Sequence, residues 1–290
     1  MSLPRNHWLR EIAMLDPERD YEDIYRIVVG HEFPWDMTQS LGLALYRTYA
    51  VPSIGSLLAR TGEFTERTQK RYDDTGLILD AVGEHGLESE QGRAAIRRMN
   101  QMHGAYGIPN ADLRYVLCTF VTVPIRWLDE YGYRPFTEAE KIASSNYYRR
   151  LGALMNISDI PATWQEFGTE MDAYERAHFA YDAGGVAVSD ATLDLMATFP
   201  PSDKAPKQAV RRFAKSLMDD ALLDAFGYEH PTALERLVYR NALKARARFL
   251  RHRPARSEPF RFGDMPQVRS YPDGYVVSEL GTFPDREATA

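Results

Sequence analysis

Cysteine is almost absent from this sequence, which has one thiol, Cys118, among 290 residues. One thiol can form neither a disulfide framework nor a multi-cysteine zinc or iron–sulfur site. Long apolar runs are also missing. The longest, YVLCTFVTVPI at residues 115–125, is too short for a membrane-spanning helix, which takes about 20 residues. We therefore expect no transmembrane segment, and we expect Cys118 to be a small core residue.

A secretory signal is not visible either. The first residues, MSLPRNHWLREIAMLDPERD, contain no apolar signal region and no twin arginine. The formal net charge of −6 argues against a dedicated nucleic-acid binder. With 44% hydrophobic and 26% charged residues, the composition is that of an ordinary globular protein. We expect a soluble, cytoplasmic protein without a nucleic-acid partner, and the sequence leaves its oligomeric state open.

Strand signals are scarce, and helix signals dominate. The one strand candidate, YPDGYVV at residues 271–277, could form a small hairpin around Pro-Asp-Gly. Thr137 with Glu140, and Thr163 with Glu166, have the spacing of capping boxes that begin helices. Helices are predicted near residues 39–50, 54–61, 66–83, 90–106, 138–155, 164–181, 190–197, 206–225 and 231–252.

A further long helix is predicted after Asn110, and Pro124 should kink it or end it early. The chain shows no internal repeat and no interdomain linker. These patterns predict an all-α protein, with one multi-helix domain over residues 1–256 and an irregular C-terminal tail over residues 257–290.

A histidine lies on the apolar stripe of the helix predicted at 90–106. Ile96, Met99, His103 and Tyr106 are spaced i, i+3, i+7 and i+10, which places them on the face that a helix buries. A buried imidazole needs partners for its nitrogens. His103 is either a core residue bonded to a backbone carbonyl or an axial iron ligand whose second nitrogen is held by an acceptor.

An arginine and a threonine share a face of the preceding helix. Arg71 and Thr75 are four residues apart, within TQKRYDDTGLIL. A guanidinium beside a hydroxyl on a partly apolar face suits the acidic groups of a cofactor. The alternative is a surface arginine and a solvent-facing threonine.

The ordered stretches RYDDT, RAAIRRMNQMHGAY, NADLRYVLCTFVTVPIRWLDEYGYRPFTEAE and LGALMNISDIPATWQEF lie within residues 60–185. Together they resemble the rubber-oxygenase catalytic-domain family, which includes latex-clearing proteins and MpaB-type oxygenases. The similarity is closer to the MpaB-type branch.

The resemblance implies an all-α, globin-like arrangement of helices around haem b. It also implies that His103 is the iron ligand and that Arg71 and Thr75 lie at the haem, with Thr75 among the catalytic residues. The absence of a Cys-x-x-Cys-His motif indicates a haem without thioether links.

One position departs from the latex-clearing pattern. Those proteins carry a lysine just before the threonine, where it can bind the distal side of the iron, and this chain has Asp74. A carboxylate there could move protons, so Asp74 is a candidate catalytic residue. Asp73, about 200° from Thr75 around the helix, is expected to be solvated.

The resulting hypothesis is a haem b-dependent oxygenase for a hydrophobic small molecule, such as an isoprenoid or another unsaturated natural product. The oxidant would be O₂ or a peroxide. The missing export signal argues against an extracellular polymer such as rubber.

Two alternatives stay open. One is a haem-free helical module for binding or structure. The other is a non-haem metalloprotein that uses the Glu-x-x-His element formed by Glu175 and His178. The basic segment at residues 240–256 could be a solvated helix, with Leu243, Ala247 and Leu250 facing inward, or could meet a membrane, an acidic partner or haem propionates.

Overall fold

The computed structural model describes residues 3–282, and within that range the chain is helical without a β-strand. In chain order the α-helices are α1 (His7–Ile12), α2 (Tyr21–Ile27), α3 (Pro34–Thr48), α4 (Pro52–Arg60), α5 (Thr68–His85), α6 (Glu90–Gly104), α7 (Asn110–Tyr131), α8 (Glu138–Leu154), α9 (Trp164–His178), α10 (Ala183–Met196), α11 (Lys207–Leu217), α12 (Asp220–Ala225) and α13 (Ala233–Leu250). A π-helical turn, Val28–Glu32, joins α2 to α3, and short 3-10 helices cover Ser202–Lys204, Phe262–Asp264 and Val277–Glu279. The all-α prediction is confirmed.

The predicted helix at 206–225 is two helices. The backbone is extended at Met218, and the Asp219 carboxylate begins α12 by accepting the Leu222 amide at 3.0 Å. Asp219 also forms an ion pair with Arg47 of α3. The break thus lets one carboxylate both cap a helix and reach a distant arginine.

Both predicted helix starts of the capping-box type are present. The Thr137 hydroxyl accepts the Glu140 amide, and the Glu140 carboxylate accepts the Thr137 amide, which completes the box. The Thr163 hydroxyl caps α9 through the Glu166 amide at 3.2 Å. There the glutamate accepts the amide of Ala162 instead, at 2.7 Å, so the second box is shifted by one residue.

Helix α7 is the centre of the fold. It packs against α3, α8, α9 and α13, and Cys118 is fully buried in it, as predicted. The helix continues through Pro124 to Tyr131, so the predicted early end is wrong, and the alternative, a kink at Pro124, stays a prediction. A proline inside a helix costs roughly 3 kcal/mol. Packing on several sides of α7 outweighs that cost.

The segment after α13 wraps back over α5 and α6. The Gln69 side chain of α5 donates to the Gln267 carbonyl at 2.8 Å, and Arg98 of α6 donates to the Leu280 carbonyl at 2.7 Å. The predicted hairpin at 271–277 is wrong, because the stretch contains a turn at residues 272–273 and irregular backbone up to the 3-10 helix that begins at Val277. The irregular character predicted for the tail is confirmed up to residue 282, and the rest of it lies outside the described residues.

Helix α13 contains most of the basic segment. Leu243 and Ala247 are buried and Leu250 is half-buried, as predicted for its inner face. No helix within residues 3–282 combines the length and apolar character needed to cross a bilayer. The boundary proposed at residue 256 between domain and tail stays a prediction.

Candidate functional site

A cavity of about 460 Å³ lies between α3 and α5 and extends to α8, α10, α11 and the tail. Its volume falls within the usual range for small-molecule sites, about 300–1,000 Å³. The surface of the lining is mainly apolar, with polar side chains at intervals. Helix α5 contributes Thr68, Arg71, Thr75, Asp80 and Glu84 to these polar side chains.

Arg71 lies deep in the protein, and the surface that it retains faces the cavity. Burial lowers the pKa of its guanidinium. The guanidinium donates to the Thr75 hydroxyl and lies 5.0 Å from the centre of the Phe64 ring. In the described part of the chain it forms no salt bridge with a carboxylate. The charges of Asp74 and Glu63 offset part of the cost of burying this cation, but burial outweighs them, so the position favours an anionic ligand.

Thr75 connects Arg71 to the helix backbone. Its hydroxyl donates to the Arg71 carbonyl at 2.7 Å and accepts from the Arg71 guanidinium. Both contacts follow from the i, i+4 spacing, which places the two side chains on one helix face. The structure therefore brings Arg71 and Thr75 together at the cavity and excludes the surface alternative.

His103 lies on the neighbouring helix α6 and is largely buried. Burial, with a smaller contribution from the positive charge of Arg71, lowers the pKa of its imidazole to about 4. The ring is therefore neutral at pH 7, the form that binds metals. Its Nδ1 is buried and has no hydrogen-bond partner within residues 3–282. His103 is not among the residues that line the cavity.

These donors fit haem b in their chemistry. A neutral imidazole with an orphaned nitrogen suits iron, and a buried arginine without a carboxylate partner suits a propionate. The adjacent cavity is apolar, as a haem environment is. The fit rests on the Nδ1 of His103, which has no hydrogen-bond partner within residues 3–282, and on the Arg71 guanidinium, which forms no salt bridge there.

Asp74 does not line the cavity. Its side chain is buried, accepts the Lys70 ammonium at 2.7 Å and accepts the Tyr271 hydroxyl of the tail. A catalytic role for Asp74 stays a prediction. Its observed contacts are those of a residue that attaches the tail to α5.

Asp73 is fully buried, so the expectation that it is solvated is wrong. The Oδ2 atom accepts the amide of Arg269 at 3.0 Å and both the amide and the hydroxyl of Ser270, at 2.9 and 2.6 Å. The Oδ1 atom accepts the Gln69 amide group at 2.8 Å. Helix angle alone suggested solvent, but the tail covers this face of α5.

Asp80 is a cavity residue that the sequence did not single out. Burial raises the pKa of its carboxyl, and nearby Glu84 raises it further, whereas the Phe262 amide, donating at 3.1 Å, opposes the rise. The sequence did contain a signal for it: Tyr72, Gly76 and Asp80 are spaced four residues apart, which places them on one face of the helix. A buried carboxyl with a raised pKa is a candidate for holding or releasing a proton.

The Glu-x-x-His element does not form a metal site with a third ligand. Glu175 is buried, where it accepts Arg47 and the Tyr115 hydroxyl. His178 is exposed, and its Nδ1 lies 2.9 Å from the Tyr174 carbonyl. Residues 3–282 contain no group of three or more His, Cys, Asp or Glu side chains placed to hold a metal. The structure thus gives no support to the non-haem alternative.

Comparison with known proteins agrees with the resemblance in the sequence. ER-bound oxygenase mpaB' of Penicillium brevicompactum is 29% identical over 240 residues, which cover 76% of this chain and 56% of that protein. ER-bound oxygenase mpaB of Penicillium roqueforti (strain FM164) is 29% identical over 216 residues, which cover 68% and 72%. This chain therefore spans little more than half the length of the first relative.

Among solved structures, latex clearing protein LCP in the closed state aligns with a TM-score of 0.47 and 18% identity, over 81% of this chain and 67% of that one. Residues 29–251 match the sequence model of a family described as "ER-bound oxygenase mpaB/B'/Rubber oxygenase, catalytic domain". That match covers well over half of the chain, so this protein belongs to the MpaB and rubber-oxygenase catalytic-domain family.

Proposed function

We propose that this protein is a haem b-dependent oxygenase whose substrate is a hydrophobic small molecule. The observation that carries the proposal concerns two neighbouring side chains beside an apolar cavity. Arg71 is desolvated and forms no salt bridge within residues 3–282, and His103 is largely buried and neutral. Membership of a family named for oxygenases supports the reaction class.

Each named residue has a role in this proposal. His103 would bind the iron, and Arg71 would pair with the acidic groups of the cofactor. Thr75 fixes the Arg71 side chain through its two hydrogen bonds. When bound, the haem would supply an iron centre for the activation of O₂ or a peroxide.

The protein's own contribution is enclosure and proton placement. Aromatic and aliphatic walls would hold an apolar substrate and exclude water, which suits an isoprenoid or another unsaturated compound. Asp80 lies in this lining, whereas Asp74 is held by Lys70 and Tyr271 outside it. We therefore assign proton exchange to the Asp80 carboxyl in preference to Asp74.

The proposal is tested on protein purified after expression with ample haem supply. We expect a Soret band, about one haem per chain in a pyridine haemochrome assay, and O₂- or peroxide-dependent oxygenation of unsaturated apolar compounds, detected by mass spectrometry. An iron-free, colourless protein without such turnover would overturn the proposal.

A haem-free binding module is the second candidate. It is favoured by the observation that His103 does not line the cavity. A colourless protein that still binds apolar ligands would support it. The cytoplasmic location expected from the sequence stays a prediction, and the two Penicillium relatives are named as ER-bound.

A further inference from the structure

The tail forms one wall of the cavity. Residues of the tail that line it include Pro259, Phe260, Phe262 and Gln267. All four lie after residue 251, where the match to the family ends. The cavity is therefore closed in part by a segment outside the family's shared catalytic region.

Phe262 is a tail residue whose ring packs on α5 beside the Arg71–Thr75 site. Its ring fills the space left by Gly76, the residue after Thr75, because a Cβ atom at that glycine would lie 2.1 Å from ring carbons of Phe262. The Tyr72 ring centre is 5.5 Å from that of Phe262. The phenylalanine therefore depends on a glycine at position 76 for its place in the wall.

Hydrogen bonds fix this part of the tail on both sides of the ring. The Phe260 amide donates to the Gly30 carbonyl at 2.7 Å, and the Phe262 amide donates to Asp80 at 3.1 Å. Arg261 forms an ion pair with Glu84. Further along, Asp73 accepts two tail amides and the Ser270 hydroxyl. With its backbone held at these points, Phe262 is a fixed wall residue.

We infer that Phe262 is a specificity-determining residue, which sets the length of apolar ligand that the cavity admits beside Arg71 and Thr75. The inference rests on the proposed function in taking an apolar small molecule as the ligand. A smaller side chain at 262 opens the cavity toward the tail, and a larger one shortens it. A hydrophobic site discriminates ligands by about tenfold or more for each added group that fits or clashes.

The test measures ligand length directly on the full chain. Linear prenyl alcohols of increasing chain length displace anilinonaphthalene sulfonate from wild type, Phe262→Ala and Phe262→Trp, and their apparent Kd values are compared. We expect Phe262→Ala to favour longer alcohols by about tenfold relative to wild type, and Phe262→Trp to favour shorter ones. Phe249→Ala is the matched control, since that phenylalanine is 62% exposed on α13 and does not line the cavity.

An unchanged length preference in both Phe262 variants overturns the inference, as does an equal shift in Phe249→Ala or failure of wild type to bind any alcohol. Circular dichroism and Tm identify variants that fold, and Phe262→Leu replaces Phe262→Ala if the latter does not. The assay needs neither haem nor turnover. A colourless protein with the expected shifts in length preference would support this inference and contradict the proposed haem-dependent oxygenase. A haem-loaded, active enzyme without such shifts would support the proposed function and contradict this inference.

Discussion

The Arg71 guanidinium and the His103 imidazole lie on adjacent helices, close enough for the arginine charge to lower the pKa of the histidine. Within residues 3–282 neither side chain forms a salt bridge with a carboxylate. Burial disfavours the charged form of both groups: it lowers the pKa of the Arg71 guanidinium and keeps the His103 imidazole neutral. The proposed haem would supply an anionic group to the arginine and iron to the histidine.

Arg71→Met should stabilise the haem-free protein, because it replaces a desolvated charge that forms no salt bridge within residues 3–282 by an apolar side chain of similar length. The expected gain in the free energy of unfolding is about 1–3 kcal/mol. The same change should weaken haem binding, through loss of a charge-assisted contact. Urea unfolding and haem titration measure the two effects.

Arg97→Ala is the control for this experiment, since Arg97 is an exposed arginine on α6. Arg97→Ala should leave both the free energy of unfolding and the haem affinity unchanged. A loss of stability in the haem-free Arg71→Met protein would show that Arg71 has a structural role instead.

Acid should destabilise the haem-free protein through His103. Its imidazole has a pKa of about 4 in the folded chain and an ordinary value of 6.5 when unfolded. Between these values the unfolded chain binds a proton that the folded chain does not. The free energy of unfolding is therefore not affected by this group above pH 6.5. It falls by on the order of 3 kcal/mol as the pH drops from 6.5 toward 4.

His103→Gln should flatten this part of the stability curve, measured by urea unfolding at intervals from pH 7 to about pH 4. His230→Gln is the control, because His230 lies near the surface beside Asp224. Equal slopes in wild type and His103→Gln would show that the imidazole is not a buried, neutral base.

Asp73→Asn should loosen the tail. The Oδ2 atom of Asp73 accepts three hydrogen bonds from Arg269 and Ser270, and loss of the carboxylate charge weakens each of them. Hydrogen exchange at residues 259–282 should rise, with a loss of about 1–3 kcal/mol in the free energy of the local opening.

Asp74→Asn should have a smaller effect of the same kind, because its partners in the tail and on α5 are Tyr271 and Lys70. If instead Asp74→Asn leaves exchange in the tail unchanged but abolishes turnover, the catalytic role predicted from the sequence is restored.

Helix positions were predictable because they depend on neighbours three or four residues away. The Arg71–Thr75 contact and the capping box at Thr137 are of this local kind. The shared face of Ile96, Met99 and His103 was likewise visible as a stripe.

Contacts between distant segments were not predictable from the sequence. Asp73 and Ser270 are 197 positions apart, so no local pattern indicates that the tail covers this carboxylate. The same holds for Phe262 beside Gly76, where a glycine inside a helix signals a close approach without naming the partner. The early end predicted at Pro124 was wrong because the local cost of the proline was visible and the packing around α7 was not.

The haem content of His103→Ala tests the central claim most directly. Wild type, His103→Ala and the control His178→Ala are expressed with the same haem supply and assayed as pyridine haemochromes, with circular dichroism to confirm folding. We predict about one haem per chain in wild type and His178→Ala, and less than about one tenth of that in His103→Ala, because the iron loses its protein ligand. Full haem content in a folded His103→Ala protein would contradict the assignment of His103 as the iron ligand.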